Sequence, residues 1–240
     1  MAPLAISRDQ LPEISREMES RSPEQILRWA VETYFPKLTM ATKFGPEGSA
    51  ILHMLAEIEP RVDVFNLDTG YQFAETIELR DRLAERYGIE VEMVQPELSV
   101  PEYEAAHGGP LYNREPDRCC HDRKIVPLRR RLVGFESWIS SIRREQTPHR
   151  ARAPIVSWDA KFDVVKVSPL ANWTKKEVWA FITKHQIPYN PLHDQGYPSI
   201  GCWPCTRAVA EGDDERAGRW AGFNKTECGL HVDPSRPSDS

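Results

Sequence analysis

The sequence predicts an α/β fold built on a parallel sheet. Strand-length apolar runs alternate with helix-length amphipathic stretches through the first part of the chain, the order that lays helices on both faces of a parallel sheet. The first two strands each run into a polar, glycine-containing turn, and both turns fall on the same sheet edge. The 240 residues show no internal repeat and suffice for one full hydrophobic core.

Residues 1–21 read as a leader, helical or poorly ordered. Ser22-Pro23-Glu24-Gln25 opens a helix, with serine as cap, proline at the first helical position and glutamine reaching back. That helix runs to about Tyr34. Leu38-Thr39-Met40-Ala41-Thr42 is a short buried strand, followed by the turn Lys43 to Ser49 and a helix through Leu55. Arg61 to Asp68 forms the second strand, Phe73 to Tyr87 an amphipathic helix stopped by Gly88, and Ile89 to Val94 a third, alternating strand. Ser137 to Ile142 and Phe162 to Val167 read as two further strands. Thr174-Lys175-Lys176-Glu177 is a capping box that starts a helix ending near His185. From Ile187 to Cys205 the chain is rich in Pro, Gly, His and Asn, an irregular stretch of the length that usually serves function. One α/β domain is expected over 22–210, and 211–240 reads as a charged, Gly-rich mobile tail.

A net charge of −5 argues against a general nucleic-acid binder, which needs surplus Lys and Arg. No run is apolar and long enough for a membrane-spanning helix, and Met1 to Ser7 lacks the features of a secretory signal. A cytoplasmic, reducing location is expected, where cysteines serve metals or catalysis rather than disulfides.

The five cysteines are unevenly spread: the adjacent pair Cys119-Cys120, the pair Cys202 and Cys205, and Cys228 alone near the C-terminus. Two close pairs can hold a metal or an iron–sulfur cluster. Adjacent ligands suit a bulky cubane better than a tetrahedral zinc, whose ligand spacings are usually wider, but zinc remains a competitor. The leftover thiol, followed by Gly229, is a candidate nucleophile. Lys124 lies one helical turn past Cys120 and can serve both the cysteines and an anion. Arg143 and Arg144 follow a strand on the crevice edge and suit a phosphate or sulfate. Arg216 and Arg219 can act together. Thr42, Lys43 and Gly45 in the first turn, with Asp68 and Gly70 in the second, outline a nucleotide pocket.

Together these stretches resemble the thioredoxin-dependent adenylyl-sulfate reductases and their relatives, the phosphoadenylyl-sulfate reductases. The matching segments include Leu67-Asp68-Thr69-Gly70, Cys119-Cys120, Trp138 to Gln146, Pro188 to Val209, Arg216 to Trp220 and Glu227-Cys228-Gly229-Leu230-His231. The resemblance implies a single domain like the N-type ATP pyrophosphatases, of the adenine nucleotide alpha hydrolase type. It implies a [4Fe–4S] cluster on Cys119, Cys120, Cys202 and Cys205, and Cys228 as nucleophile on a mobile tail. It implies phosphosulfate contacts from Lys124, the Arg143–Arg144 pair, Arg216 and Arg219. The expected substrate is adenosine 5′-phosphosulfate and the expected partner is thioredoxin. Use of the 3′-phosphorylated substrate is the alternative, and assembly into a homo-oligomer is left open. The family's first loop usually carries serine where this chain has Lys43. A zinc-stapled tRNA-modifying protein on the same fold and a non-catalytic nucleotide sensor are rival readings; the acidic balance and the tail cysteine speak against the first.

Overall fold

The structure is a computed structural model of the chain and describes residues 6–210, 212–225, 227, 229 and 230. Six strands form one sheet in the order β3-β2-β1-β4-β6-β5. They are β1 (Leu38–Ala41), β2 (Asp63–Leu67), β3 (Val91–Val94), β4 (Ser137–Ile139), β5 (Val156–Asp159) and β6 (Val164–Val167). All neighbours run parallel except β5, which pairs antiparallel with β6 at the edge.

The helices are α1 (Leu11–Met18), α2 (Pro23–Tyr34), α3 (Pro46–Ile58), α4 (Ala74–Tyr87), α5 (Val100–His107), α6 (Pro116–Cys120), α7 (Val126–Arg131) and α8 (Lys175–Lys184). Local chemistry explains their ends. Ser22 accepts from the Gln25 amide, and Gln25 returns the bond to the Ser22 amide. Thr174 and Glu177 do the same for α8. Gly88 ends α4 in the left-handed conformation that only glycine adopts freely.

The core lies between the sheet and its helices. Leu27, Ile51 and Leu83 from the helices meet Leu38, Met40 and Val167 from the strands. Each such fully buried side chain stabilises the fold by roughly 1.5–3 kcal/mol.

Of the two readings of the leader, the helical one holds over α1: Leu11 and Met18 are buried in the main core, and Ser15 Oγ accepts from the Val156 amide at 3.2 Å. Packing also continues past residue 211, since Trp220 is buried and Arg207 donates its amide to the Gly218 carbonyl at 2.9 Å.

The chain leaves β1 toward β2 on one side and reaches β4 on the other. Such a reversal of strand order opens a crevice beyond the strand ends, the usual ligand position in open α/β sheets.

Candidate active site

The crevice between β1 and β4 is the mouth of a large cavity. Its floor comes from the strand ends and the first turn: Thr42, Lys43 and Gly45 after β1, Asn66 in β2, and Ser140 and Ser141 after β4. The irregular segment contributes Asn190, His193 and Pro198 to Cys202, and the C-terminal stretch adds Arg216, Arg219, Trp220 and Leu230.

The first turn is tight. Thr42 Oγ1 accepts from the Phe44 amide at 3.0 Å, and Asn66 donates to the Thr42 carbonyl at 2.7 Å. A side chain at Gly48 would bring its Cβ to 2.5 Å from Thr42 Oγ1, so α3 can only approach β1 with glycine there.

Cations crowd the cavity. Lys43, Lys124, Arg143, Arg150, Arg216 and Arg219 all line it. Lys43 is exposed along its length but its ammonium end is enclosed and donates to the Ile200 carbonyl at 2.7 Å. Burial, reinforced by Arg219 and Arg216, pulls its pKa down to about 7. Arg219 donates to the Cys205 carbonyl and to Ser199 Oγ, both at 3.3 Å, and stacks over Trp220. Three of the cations have carboxylate partners, Arg216 among them through Glu227 at 3.5 Å. Arg143 pairs with Glu47 at 2.8 Å and Glu145 at 2.6 Å. Arg150 pairs with Glu227 at 2.7 Å. Burial would raise the Glu47 carboxyl, but Arg143 holds it below the ordinary carboxylate range.

A second, small pocket adjoins the cavity. Cys119, Cys120, Cys202 and Cys205 all line it, with Thr69, Tyr71, Tyr112, Arg123 and Lys124. Cys119 and Cys120 end α6, and a π-helical stretch, His121–Ile125, follows and carries Lys124. Lys124 therefore borders both pockets. Burial, then the three other thiols, pushes the Cys119 thiol up to about 12, and burial, then Cys202 and Cys120, pushes Cys205 up to about 11. Four neighbouring sulfurs cannot all ionise without a positive centre between them, which is the condition a metal–thiolate centre meets. Thr69 Oγ1 lies 3.2 Å from Cys202 Sγ. Among the described residues, no group of three or more His, Cys, Asp or Glu side chains forms a site for a single metal ion.

Three expected site residues point elsewhere. Arg144 turns away from the cavity to Glu19 (2.6 Å), Asn172 and the Ala153 carbonyl, so it clamps the N-terminal helices. Arg143 is extended, and successive side chains on extended backbone face opposite ways. Asp68 closes its own turn by accepting from the Gly70 amide at 2.9 Å and also accepts from Gln95. Gly70 has φ +73° beneath Val100 and Arg123; its role is the turn itself. Cys228 and His231 lie outside the described residues.

Sequence reasoning missed Arg150, Gln146, Glu47 and Glu227. Arg150 and Glu227 are both buried and joined across 77 residues of chain, so no local pattern announces them.

This is a mostly parallel-sheet α/β protein whose switch-point crevice is lined by cations and adjoins a four-thiol pocket. The chain belongs to the phosphoadenosine phosphosulfate reductase domain family, which matches residues 37–208. It is 46% identical to a phosphoadenosine 5′-phosphosulfate reductase of Gloeobacter violaceus, over 95% of this chain and 96% of that one. It is 47% identical to an adenosine 5′-phosphosulfate reductase of Salinibacter ruber, over 95% of this chain and 91% of that one. Among solved structures it is similar to a phosphoadenylyl-sulfate reductase of Candida auris in a phosphate complex, with TM-score 0.74 and 30% identity, covering 86% of this chain and 100% of that one. Among the described residues no helix is long and apolar enough to cross a membrane.

Proposed function

We propose that this chain reduces adenosine 5′-phosphosulfate to sulfite and AMP in sulfate assimilation, with electrons from reduced thioredoxin. One observation carries the reading: the residues on either side of Cys228 meet the cation-lined cavity. Glu227 contacts Arg150 and Arg216, and Leu230 lines the cavity wall.

The Cys228 thiolate attacks the sulfur of the phosphosulfate. The sulfur–oxygen bond to AMP breaks, and AMP leaves with the electron pair. The protein then carries a cysteine S-sulfonate. A thioredoxin thiolate attacks the Cys228 sulfur, and sulfite departs with the pair from the broken sulfur–sulfur bond. The second thioredoxin thiol resolves the mixed disulfide, so the dithiol supplies both electrons. Lys43, Lys124, Arg216 and Arg219 offset the repulsion between thiolate and multiply charged substrate, the form of electrostatic stabilisation expected in an enclosed site.

Cys119, Cys120, Cys202 and Cys205 would hold a [4Fe–4S] cluster, and their all-sulfur set fits one. Held by these cysteines, it would supply a fixed charge in the pocket that Lys124 also lines, while thioredoxin would supply the electrons.

The 3′-phosphorylated substrate is a second reading, favoured by the name of the Gloeobacter relative. Sulfite release from each substrate with reduced thioredoxin tests both. The proposal expects turnover of adenosine 5′-phosphosulfate, and release only from the 3′-phosphorylated substrate would overturn it.

A further inference from the structure

We propose that Glu227 is a positioning residue: clasped by Arg150, it seats the tail so that Cys228 meets the substrate sulfur. This rests on the reading of Cys228 as nucleophile.

The clasp is buried and directional. The Glu227 side chain is only 4% exposed. Arg150 grips it with both edges of the fork, Nε to Oε1 at 2.9 Å and Nη2 to Oε2 at 2.7 Å. Thr147 Oγ1 adds a bond to Oε1 at 3.1 Å, and Arg216 Nη2 approaches Oε2 at 3.5 Å. Paired bonds of this kind fix orientation as well as distance. A carboxylate so buried is tolerable only with its cation in place, and removing either partner strands a charge.

The clasp continues into the substrate cavity. The third edge of Arg150, Nη1, donates to Gln146 Oε1, which also accepts from the Arg143 amide at 3.0 Å. Gln146 donates in turn to Glu47, at the start of α3. The tail is therefore registered against the same turns that shape the nucleotide pocket.

The far side of the nucleophile is anchored too. Lys161 donates to the Gly229 carbonyl, and Leu230 packs on the cluster containing Ile125, Leu128 and Trp138. Gly229 sits at φ +79°, and a Cβ there would meet Ile125 at 3.1 Å. Anchors thus stand at positions 227, 229 and 230. Of the anchors, the Glu227 clasp is the ionic and directional one.

The test separates docking from chemistry. In substrate-free protein, hydrogen exchange of the segment 225–230 should be slow, and should speed up in Glu227→Ala and Arg150→Ala. Single-turnover transfer of sulfonate from adenosine 5′-phosphosulfate to Cys228 should slow by about a hundredfold in Glu227→Ala, the scale of loss when a reacting group is misplaced. Substrate affinity of Glu227→Ala, measured in a Cys228→Ser background, should be unchanged. The double variant should be no slower than either single one, because both remove the same contact. Glu227→Gln, which keeps shape and loses charge, should fall between and guards against a failure of Glu227→Ala to fold. Wild-type exchange and transfer rates in both Glu227 variants would overturn the proposal. So would a rate loss explained entirely by weaker substrate binding. If wild-type protein takes no sulfonate at all, the proposed reaction fails, while the exchange data still decide the clasp.

Discussion

The Lys43 ammonium donates to the carbonyl of Ile200 at 2.7 Å, tying the first strand-to-helix turn to the loop that enters Cys202. The next residue, Gly201, lies under the Arg219 guanidinium, where a Cβ would come within 2.2 Å of Nη2. Two cations thus rest on successive residues of the loop that leads into the four-thiol pocket. This places Lys43 with the arginines that line the cavity.

Lys43 should give substrate affinity a recognisable pH dependence. With its pKa lowered to about 7, the lysine is charged below that pH and neutral above it in the free protein. An anion favours the charged form, so affinity for adenosine 5′-phosphosulfate should be level below pH 7. Above it, affinity should fall, by up to about tenfold per pH unit. His193 also lines the cavity, but burial lowers its pKa, so it is neutral in that range. Titrations in Cys228→Ser protein should show this fall, and Lys43→Ser should remove it.

Gly201→Ala should displace Arg219 without unfolding the chain. The clash is with the end of a flexible side chain, but that end is held by Ser199 and the Cys205 carbonyl. Substrate affinity should drop about tenfold, near the cost of losing a charged hydrogen bond, with little change in melting temperature. At Gly218 a Cβ would strike the Arg207 carbonyl at 2.1 Å, so Gly218→Ala should lower the melting temperature instead.

Arg143 and Arg144 should part company on mutation. Arg144 is partly exposed in its pair with Glu19, so Arg144→Ala should cost about 1 kcal/mol of stability or less and leave substrate affinity unchanged. Arg143 is 3% exposed and bonded to Glu47 inside the cavity wall. Arg143→Ala strands that carboxylate and should cost about 3–5 kcal/mol; denaturant unfolding of the two variants checks the ranking.

Removing any one of Cys119, Cys120, Cys202 or Cys205 should abolish binding of the proposed cluster at the thiol pocket. Protein purified without oxygen should contain iron and acid-labile sulfide in equal amounts, with broad visible absorption, and Cys119→Ser should lose both. Zinc without sulfide would replace the cluster assignment with a zinc one.

Much of this was legible in the sequence where the signal is local. Capping boxes at Ser22 and Thr174 marked α2 and α8, and apolar periodicity marked β1 to β3. Spacing and residue type singled out the four cysteines that line one pocket. Strand β5 escaped because it gains its identity from antiparallel pairing with β6 at the sheet edge. Helix α5 carried a readable Ser99–Glu102 capping box and a Gly108 stop that went unused. The direction of Arg144 and the Arg150–Glu227 clasp depend on tertiary partners, which no window of sequence contains, whereas the turn-closing role of Asp68 is a local bond from the Gly70 amide that Asp68-Thr69-Gly70 already offered.

The most direct test is the intact mass of anaerobically purified protein incubated with adenosine 5′-phosphosulfate and no thioredoxin. The account predicts one added sulfonate per chain, located on Cys228 and released as sulfite when reduced thioredoxin is supplied. Unmodified protein, in a preparation that does release sulfite once thioredoxin is present, would contradict it.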